Sequence, residues 1–212
     1  MGHSNRYPSK RVKLIFAHAM FIATTLTVGG CAADGGSHEG KRTPREALRS
    51  TYEALVQGDR RAFLQSCEGS DEELEAAEAI FEATQAAFQF RAALKETYGP
   101  DAWTQFQKMR LDGSRLSFIL PPRKLSWVEE VEISVADDHA RYTTPWGGID
   151  EWLVRAEGRW FWDLGRNVKS PSAFQDIFGR FADAFRRTKA DVGKPGLDLR
   201  SLKERWKEHL KK

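Results

Sequence analysis

The side chains of this 212-residue chain that could do chemistry are few and scattered. Asp163 stands in "WFWDLG", between large aromatic residues. A carboxyl buried among aromatics holds its proton to higher pH and can then shuttle it. Alternation with Trp162 and Leu164, however, turns Asp163 outward together with Phe161. His139 follows the turn "ADD" and is expected to face water. Beyond the first thirty residues the histidines are His38, His139 and His209, too widely separated for metal-ligand spacing. The chain has no glycine-rich phosphate loop, and the serine of "SCEG" has no nucleophile-elbow context. No metal site and no cofactor are expected. The only cysteines are Cys31 and Cys67.

The elements that must position these groups are legible from periodicity. "TPRE" at 43–46 offers an N-cap threonine, proline at the first helical position and glutamate at the third, which is a capping box. Leu48, Tyr52 and Leu55 recur at helical spacing behind it, and Gly58 is a natural stop. Asp59 caps a second short helix running through Cys67, whose thiol then lies on an apolar face beside Phe63 and Leu64 and is expected to be buried. Ser70 and Glu73 form a second capping box. Leu74, Ala77, Phe81, Thr84 and Phe88 step along the helix behind it, which ends near Tyr98. A further short helix holds Trp103 and Phe106.

From Trp127 the period switches to two. Trp127, Val131, Ile133 and Val135 face one way along a first strand, and Ala140, Tyr142 and Thr144 share a face of a second. "DEWLVRA" and "RWFWDLG" flank "EG" as a hairpin, with Trp160 and Trp162 on one face. Trp127, Trp160 and Trp162 are expected in the core. Trp146, in "TTPWGG", sits in a loop bounded by proline and glycine. It is the candidate binding-surface residue, as a partner contact or the rim of a pocket. Helices return in the tail. Phe174, Ile177, Phe178, Phe181 and Phe185 form one stripe, "GKPG" interrupts, and Leu199, Leu202, Trp206 and Leu210 form another.

The first thirty residues read as an export signal. Arg6, Lys10, Arg11 and Lys13 precede the apolar run "LIFAHAMFIATTLTV", with no acid among them. The run is too short to span a bilayer, which takes about 20 apolar residues. It closes on Val28, Gly29, Gly30 and Cys31, a sequence that resembles the bacterial lipobox. That resemblance implies cleavage before Cys31 and a diacylglyceryl group on its thiol. By resemblance to enteric lipoproteins, Ala32 after the cysteine implies the outer membrane, facing the periplasm. With Cys31 lipidated, Cys67 has no disulfide partner. Residues 31–42, rich in glycine and polar side chains, are expected to be a tether without fixed structure.

Residues 43–166 resemble the SnoaL-like, nuclear transport factor two-like cone family. The early part of the pattern falls on Pro44, Ala47, Tyr52, Ala54, Leu55, Gly58, Asp59 and Phe63, and the late part on Leu153, Gly158, Trp160 and Leu164. The resemblance implies an α+β fold with N-terminal helices on a curved antiparallel sheet, over residues 43–168. Residues 169–212 are then a C-terminal helical extension. Cone-fold enzymes use aspartate, histidine and tyrosine inside an apolar pocket. By that resemblance the catalytic candidates are Asp163, Asp150, Tyr142 and His139, each weighed against the plainer reading of a polar side chain facing water.

Charge excludes one class of partner. The chain carries +3, but without residues 1–30 it holds 29 basic against 30 acidic side chains, which gives no footprint for nucleic acid. The charge is unevenly placed. Residues 68–82 hold seven acids and no base, and residues 179–212 hold eleven bases and five acids. A contact between the acidic stretch and the basic segment after Gly196 is expected. The sequence therefore reads as a lipid-anchored envelope protein, a non-catalytic binding or scaffolding module with an envelope protein or a small apolar ligand as partner. An isomerase- or dehydratase-like enzyme with a cone pocket is the alternative. A third reading has the basic tail engaging the envelope electrostatically.

Overall fold

The computed structural model describes residues 40–109, 120–146 and 148–211. The export signal, Cys31, His38 and residues 31–39 of the expected tether lie outside the described residues. Helix α1 spans Pro44–Gln57, and its start is the expected capping box: Thr43 accepts from the Glu46 N–H, and Glu46 accepts in return from the Thr43 N–H at 3.2 Å. Gly58, at φ 79°, ends it in the left-handed conformation that favours glycine. Asp59 caps α2 (Arg60–Gln65), and Ser70 with Glu73 caps the 28-residue α3 (Asp71–Tyr98). Short helices α4 (Ala102–Lys108) and α5 (Trp127–Glu130) follow.

The sheet is mixed and five-stranded, in the order β1-β5-β4-β3-β2. Its strands are β1 (Cys67–Glu68), β2 (Ile133–Ala136), β3 (His139–Thr143), β4 (Asp150–Ala156) and β5 (Arg159–Asp163). All neighbours pair antiparallel except β1, which runs parallel to β5. Glu157 (φ 50°) and Gly158 (φ 77°) turn β4 into β5, two successive positive-φ residues as a tight hairpin requires. Helices α6 (Leu164–Asn167), α7 (Pro171–Lys189) and α8 (Leu199–Leu210) complete an α+β architecture.

The fold departs from the sequence expectations at three places. No strand starts at Trp127: α5 stands there, and the strand begins at Ile133. A helical turn buries two consecutive residues, Trp127 and Val128, which an alternating strand would have split between its faces. The Arg45 guanidinium fixes that turn by donating to the carbonyls of Val128 and Val131. Cys67 belongs to β1 and not to a helix. It is nonetheless fully buried, because the strand carries it under Phe63, whose carbonyl its Sγ approaches at 3.2 Å. The end of the expected tether is ordered: Lys41 pairs with Trp160 through N–H···O distances of 3.0 and 2.7 Å. Gly40 lies so close to the Phe161 ring that an added Cβ would sit 2.3 Å from Cζ, which only glycine avoids.

Burial pushes the Cys67 thiol pKa far up. A bulky disulfide reagent should therefore label the native protein slowly and the denatured protein at once, a contrast that a timed thiol assay measures.

The described residues form two apolar clusters. One packs α1, α2 and the first half of α3 on the sheet face that carries Ala140, Tyr142, Leu153, Trp160 and Trp162. The other gathers Phe90 and Leu94 of α3, Phe106 of α4, Ala182 and Phe185 of α7 and Leu202 and Trp206 of α8. The phenylalanine stripe of α7 thus lies on the chain's own α3. Phe185 is fully buried and Phe174, Phe178 and Phe181 are partly so, while Ile177 remains 44% exposed. Among the described residues the acidic stretch is met by α7: Arg186 pairs with Glu82, and Gln175 reaches Glu75 at 3.2 Å. In the basic segment after Gly196, Arg205 of α8 pairs with Asp191 at 2.9 Å, and α8 packs on α7 and α4.

Candidate functional site

Four elements converge on one carboxylate. Glu151 of β4 lies opposite Tyr142 of β3, and Leu153 lies opposite Trp162 of β5, so all four residues share the sheet face that packs on α1. From α1, Tyr52 reaches across. Glu151 Oε2 accepts from the Tyr52 hydroxyl at 2.9 Å, from Trp162 Nε1 at 3.1 Å and from the Tyr142 hydroxyl. Its Oε1 lies 3.0 Å from the same Tyr52 hydroxyl. Tyr52 and Tyr142 are buried at 6% and 1% exposure, and Glu151 is partly buried.

Burial sets the electrostatics. It raises the Glu151 pKa, and the hydrogen bonds from Tyr142, Tyr52 and Trp162 partly offset the rise by favouring the charged form. Burial first, then the Glu151 charge, drives both tyrosines well above their ordinary range. Around neutral pH the tyrosines are therefore protonated donors. The arrangement can hold a proton on a desolvated carboxyl, and it also ties α1 to three strands. A wall of rings closes it on one side. Tyr52 meets Trp127 edge-on at 5.0 Å and Trp146 at 5.5 Å, and Trp127 and Trp146 are 4.6 Å apart at 82°.

Of the sequence candidates only Tyr142 belongs to this cluster. Asp150 and His139 alternate with it onto the opposite sheet face. There Asp150 is exposed, paired with Arg141 and accepting from the Thr143 hydroxyl at 2.7 Å. Asp163 also lies on that face, as alternation predicts. It is nonetheless 7% exposed, and Phe161 beside it 4%, where both were expected in water. Gly40 lies against the Phe161 ring, and Asp163 caps α6, accepting from the Arg166 N–H at 3.1 Å. Burial raises the Asp163 pKa, against the hydrogen bond and charge of Arg166. His139 is partly buried and near enough for its charge to act on Asp163. Trp146, expected at an exposed tip, packs its indole into the core and is only partly accessible.

Glu151 itself is missing from the sequence candidates. The signal was present: in "DEWLV" it shares parity with Leu153, and its neighbour Asp150 does not. Among the described residues no group of three or more His, Cys, Asp and Glu side chains could hold a metal ion, and no helix is long and apolar enough to cross a membrane. Comparison with protein families, with curated proteins and with solved structures found no match for this chain.

One titratable group is buried in the second cluster. Lys203 is 2% exposed, its Nζ 4.4 Å from the Phe106 ring centre and 4.3 Å from that of Trp206. Burial lowers its pKa to about 8. A lysine depressed on folding contributes stability fully present above its unfolded value and lost as pH falls through the folded one. Relative to Lys203→Met, the wild-type chain should therefore gain stability between pH 8 and pH 10.5, read as the difference in denaturation midpoints.

Proposed function

We propose that this chain is a membrane-anchored envelope lipoprotein, held through a lipid on Cys31 at the periplasmic face of the outer membrane. Its folded part is a non-catalytic binding or scaffolding module of cone-like form. The observation that carries the non-catalytic reading is the state of Glu151. Three donors of the protein itself occupy its carboxylate, and each comes from a different element. A general base needs a lone pair aimed at its substrate; this carboxylate aims Oε2 at all three donors and keeps Oε1 3.0 Å from the Tyr52 hydroxyl, so it faces the helix and strands that it joins. The anchor rests on the run from Arg6 to Cys31, in which a basic segment, an apolar run and a small-residue cysteine box follow in order. Two acyl chains on one cysteine hold durably, because each buried methylene contributes about 0.8 kcal/mol where one chain alone is marginal.

An isomerase- or dehydratase-like activity is the second reading. The observation favouring it is also at Glu151, a carboxyl with a raised pKa beside two tyrosine hydroxyls. Crosslinking in intact envelopes separates the two: the binding reading expects a defined partner to be captured, the enzymatic one expects turnover abolished by Glu151→Gln. For the anchor, Cys31→Ala should move the protein from the detergent phase to the aqueous fraction or leave the precursor uncut. Partitioning unchanged by that substitution would contradict it.

A further inference from the structure

Among the described residues the sheet ends at β2 with no strand beside it. Register fixes which of its backbone groups point outward. Ala136 lies opposite His139 across the turn of Asp137 and Asp138, so these two exchange both ladder bonds, and Ser134 and Arg141 do the same one step further on. Alternation then turns the N–H and C=O of Ile133 and Val135 away from β3. No other described segment bonds to those four groups. Ser134, Val135 and Ala136 are all exposed, and Val135, on the core-face parity of Ala140 and Tyr142, is 56% exposed. The strand carries no charge, yet acids stand at both of its ends. Residues 129–138 hold five acids and no base. Glu129 is paired with Arg49, while Glu130, Glu132, Asp137 and Asp138 are exposed. Arg141, across from Ser134, is paired with Asp150, and Arg45 donates to the Val128 and Val131 carbonyls.

We propose that the outer edge of β2 takes up an extended segment of a partner protein, added as a further strand, with an uncharged β-forming centre and basic side chains at both ends. The proposal rests on the binding-module reading above and names the partner's chemistry. Backbone pairing supplies the contact. A strand laid about 4.7–4.9 Å away meets the outward N–H and C=O groups of Ile133 and Val135 in turn. An apolar side chain opposite Val135 extends the core face and covers a residue that is otherwise more than half exposed. Charge selects the occupant. A second copy of this chain, paired antiparallel through the same edge with Ser134 opposite Ser134, uses all four outward groups but brings Glu130 toward Asp138. Shifted so that Val135 faces Val135, it brings Glu132 toward Asp138. Like charges set against each other across a ladder are destabilising. A strand with Lys or Arg at each end meets opposite charge at both, in either chain direction.

The test is an end-blocked peptide, Lys-Thr-Val-Thr-Val-Lys, titrated into the purified full chain at low salt. Laid antiparallel, its lysines fall opposite Glu132 and Asp137 and its valines opposite Ile133 and Val135. Methylating both valine nitrogens removes the donors that face β2 and should weaken binding about tenfold or more, the worth of two net hydrogen bonds. Methylating both threonine nitrogens, which point away from β2, should change it by about twofold at most. Glutamate in place of both lysines should weaken binding several-fold, by a margin that shrinks as salt rises. Val135→Pro removes an outward N–H and no ladder bond, so β2 should stay paired with β3 while the peptide no longer binds. The methylated peptides need no variant and decide even where Val135→Pro fails to fold. No binding at millimolar peptide, equal losses from the two methylations, or an acidic peptide that binds as tightly would overturn the assignment. So would a dimer of the full chain that Val135→Pro dissolves, since a second copy would then fill the edge. Crosslinking in envelopes separates this surface from the module. A partner captured equally by wild type and Val135→Pro leaves the module standing and refutes the edge, whereas no capture together with no peptide binding refutes both.

Discussion

A chain ended at Ser170 should lose its cooperative melt, or melt far below the full-length protein, and should bind a hydrophobic dye. Removing α7 and α8 strips Phe185, Leu202 and Trp206 from the second cluster and leaves Phe90, Leu94 and Phe106, all fully buried in the intact fold, facing water. Each such side chain contributes about 1.5–3 kcal/mol when buried. Three of them together match much of the roughly 5–15 kcal/mol that holds a domain folded. Charge adds little: the Arg186–Glu82 pair is half exposed, and exposed pairs are worth about 1 kcal/mol at most. Where truncation prevents expression, Phe185→Ala keeps the tail and should still cost about 3–5 kcal/mol, read as a shift in denaturant midpoint. A truncated chain that melts like the full-length one, while the full-length chain alone self-associates, would make α7 a surface for partners and refute this packing account.

The second large effect is expected at Glu151. Glu151→Ala strands the hydroxyls of Tyr52 and Tyr142 and the Nε1 of Trp162. Each stranded donor costs about 1–3 kcal/mol, with the costs not fully additive. Glu151→Gln keeps the volume and one acceptor oxygen and should cost clearly less. The two also differ from wild type in pH dependence. Because the folded pKa of Glu151 is raised, its contribution to stability is fully present below the ordinary carboxylate value of 4.5 and lost as pH rises through the folded value. Wild type should therefore lose stability relative to Glu151→Gln across that window, in melts taken from pH 4 upward. A difference that stays flat, or one that grows in favour of wild type with rising pH, would show that the carboxyl is not desolvated as described.

The helices were legible because their ends carry side-chain chemistry. Thr43 with Glu46 and Ser70 with Glu73 mark starts, Gly58 marks a stop, and the described structure has each of them. The stripe from Phe174 to Phe185 was legible as apolar but not as to what it would cover, since an amphipathic face names no partner. Strand periodicity misled at Trp127, where a helical turn pinned by Arg45 satisfies the same apolar residues. The candidate site was half legible. Tyr142 lies in the Glu151 cluster, whereas Asp150, also weighed from the sequence, lies on the opposite sheet face, and the adjacent Glu151 was not weighed. A single-residue change of parity turns a side chain from the solvent face to the core.

Lipid anchoring through Cys31 is read out by intact mass analysis of the protein extracted from membranes. The expected species is a mature chain that begins at Cys31, with residues 1–30 removed and acyl groups on that cysteine. A protein that retains its leader, or begins elsewhere with Cys31 unmodified, would contradict it.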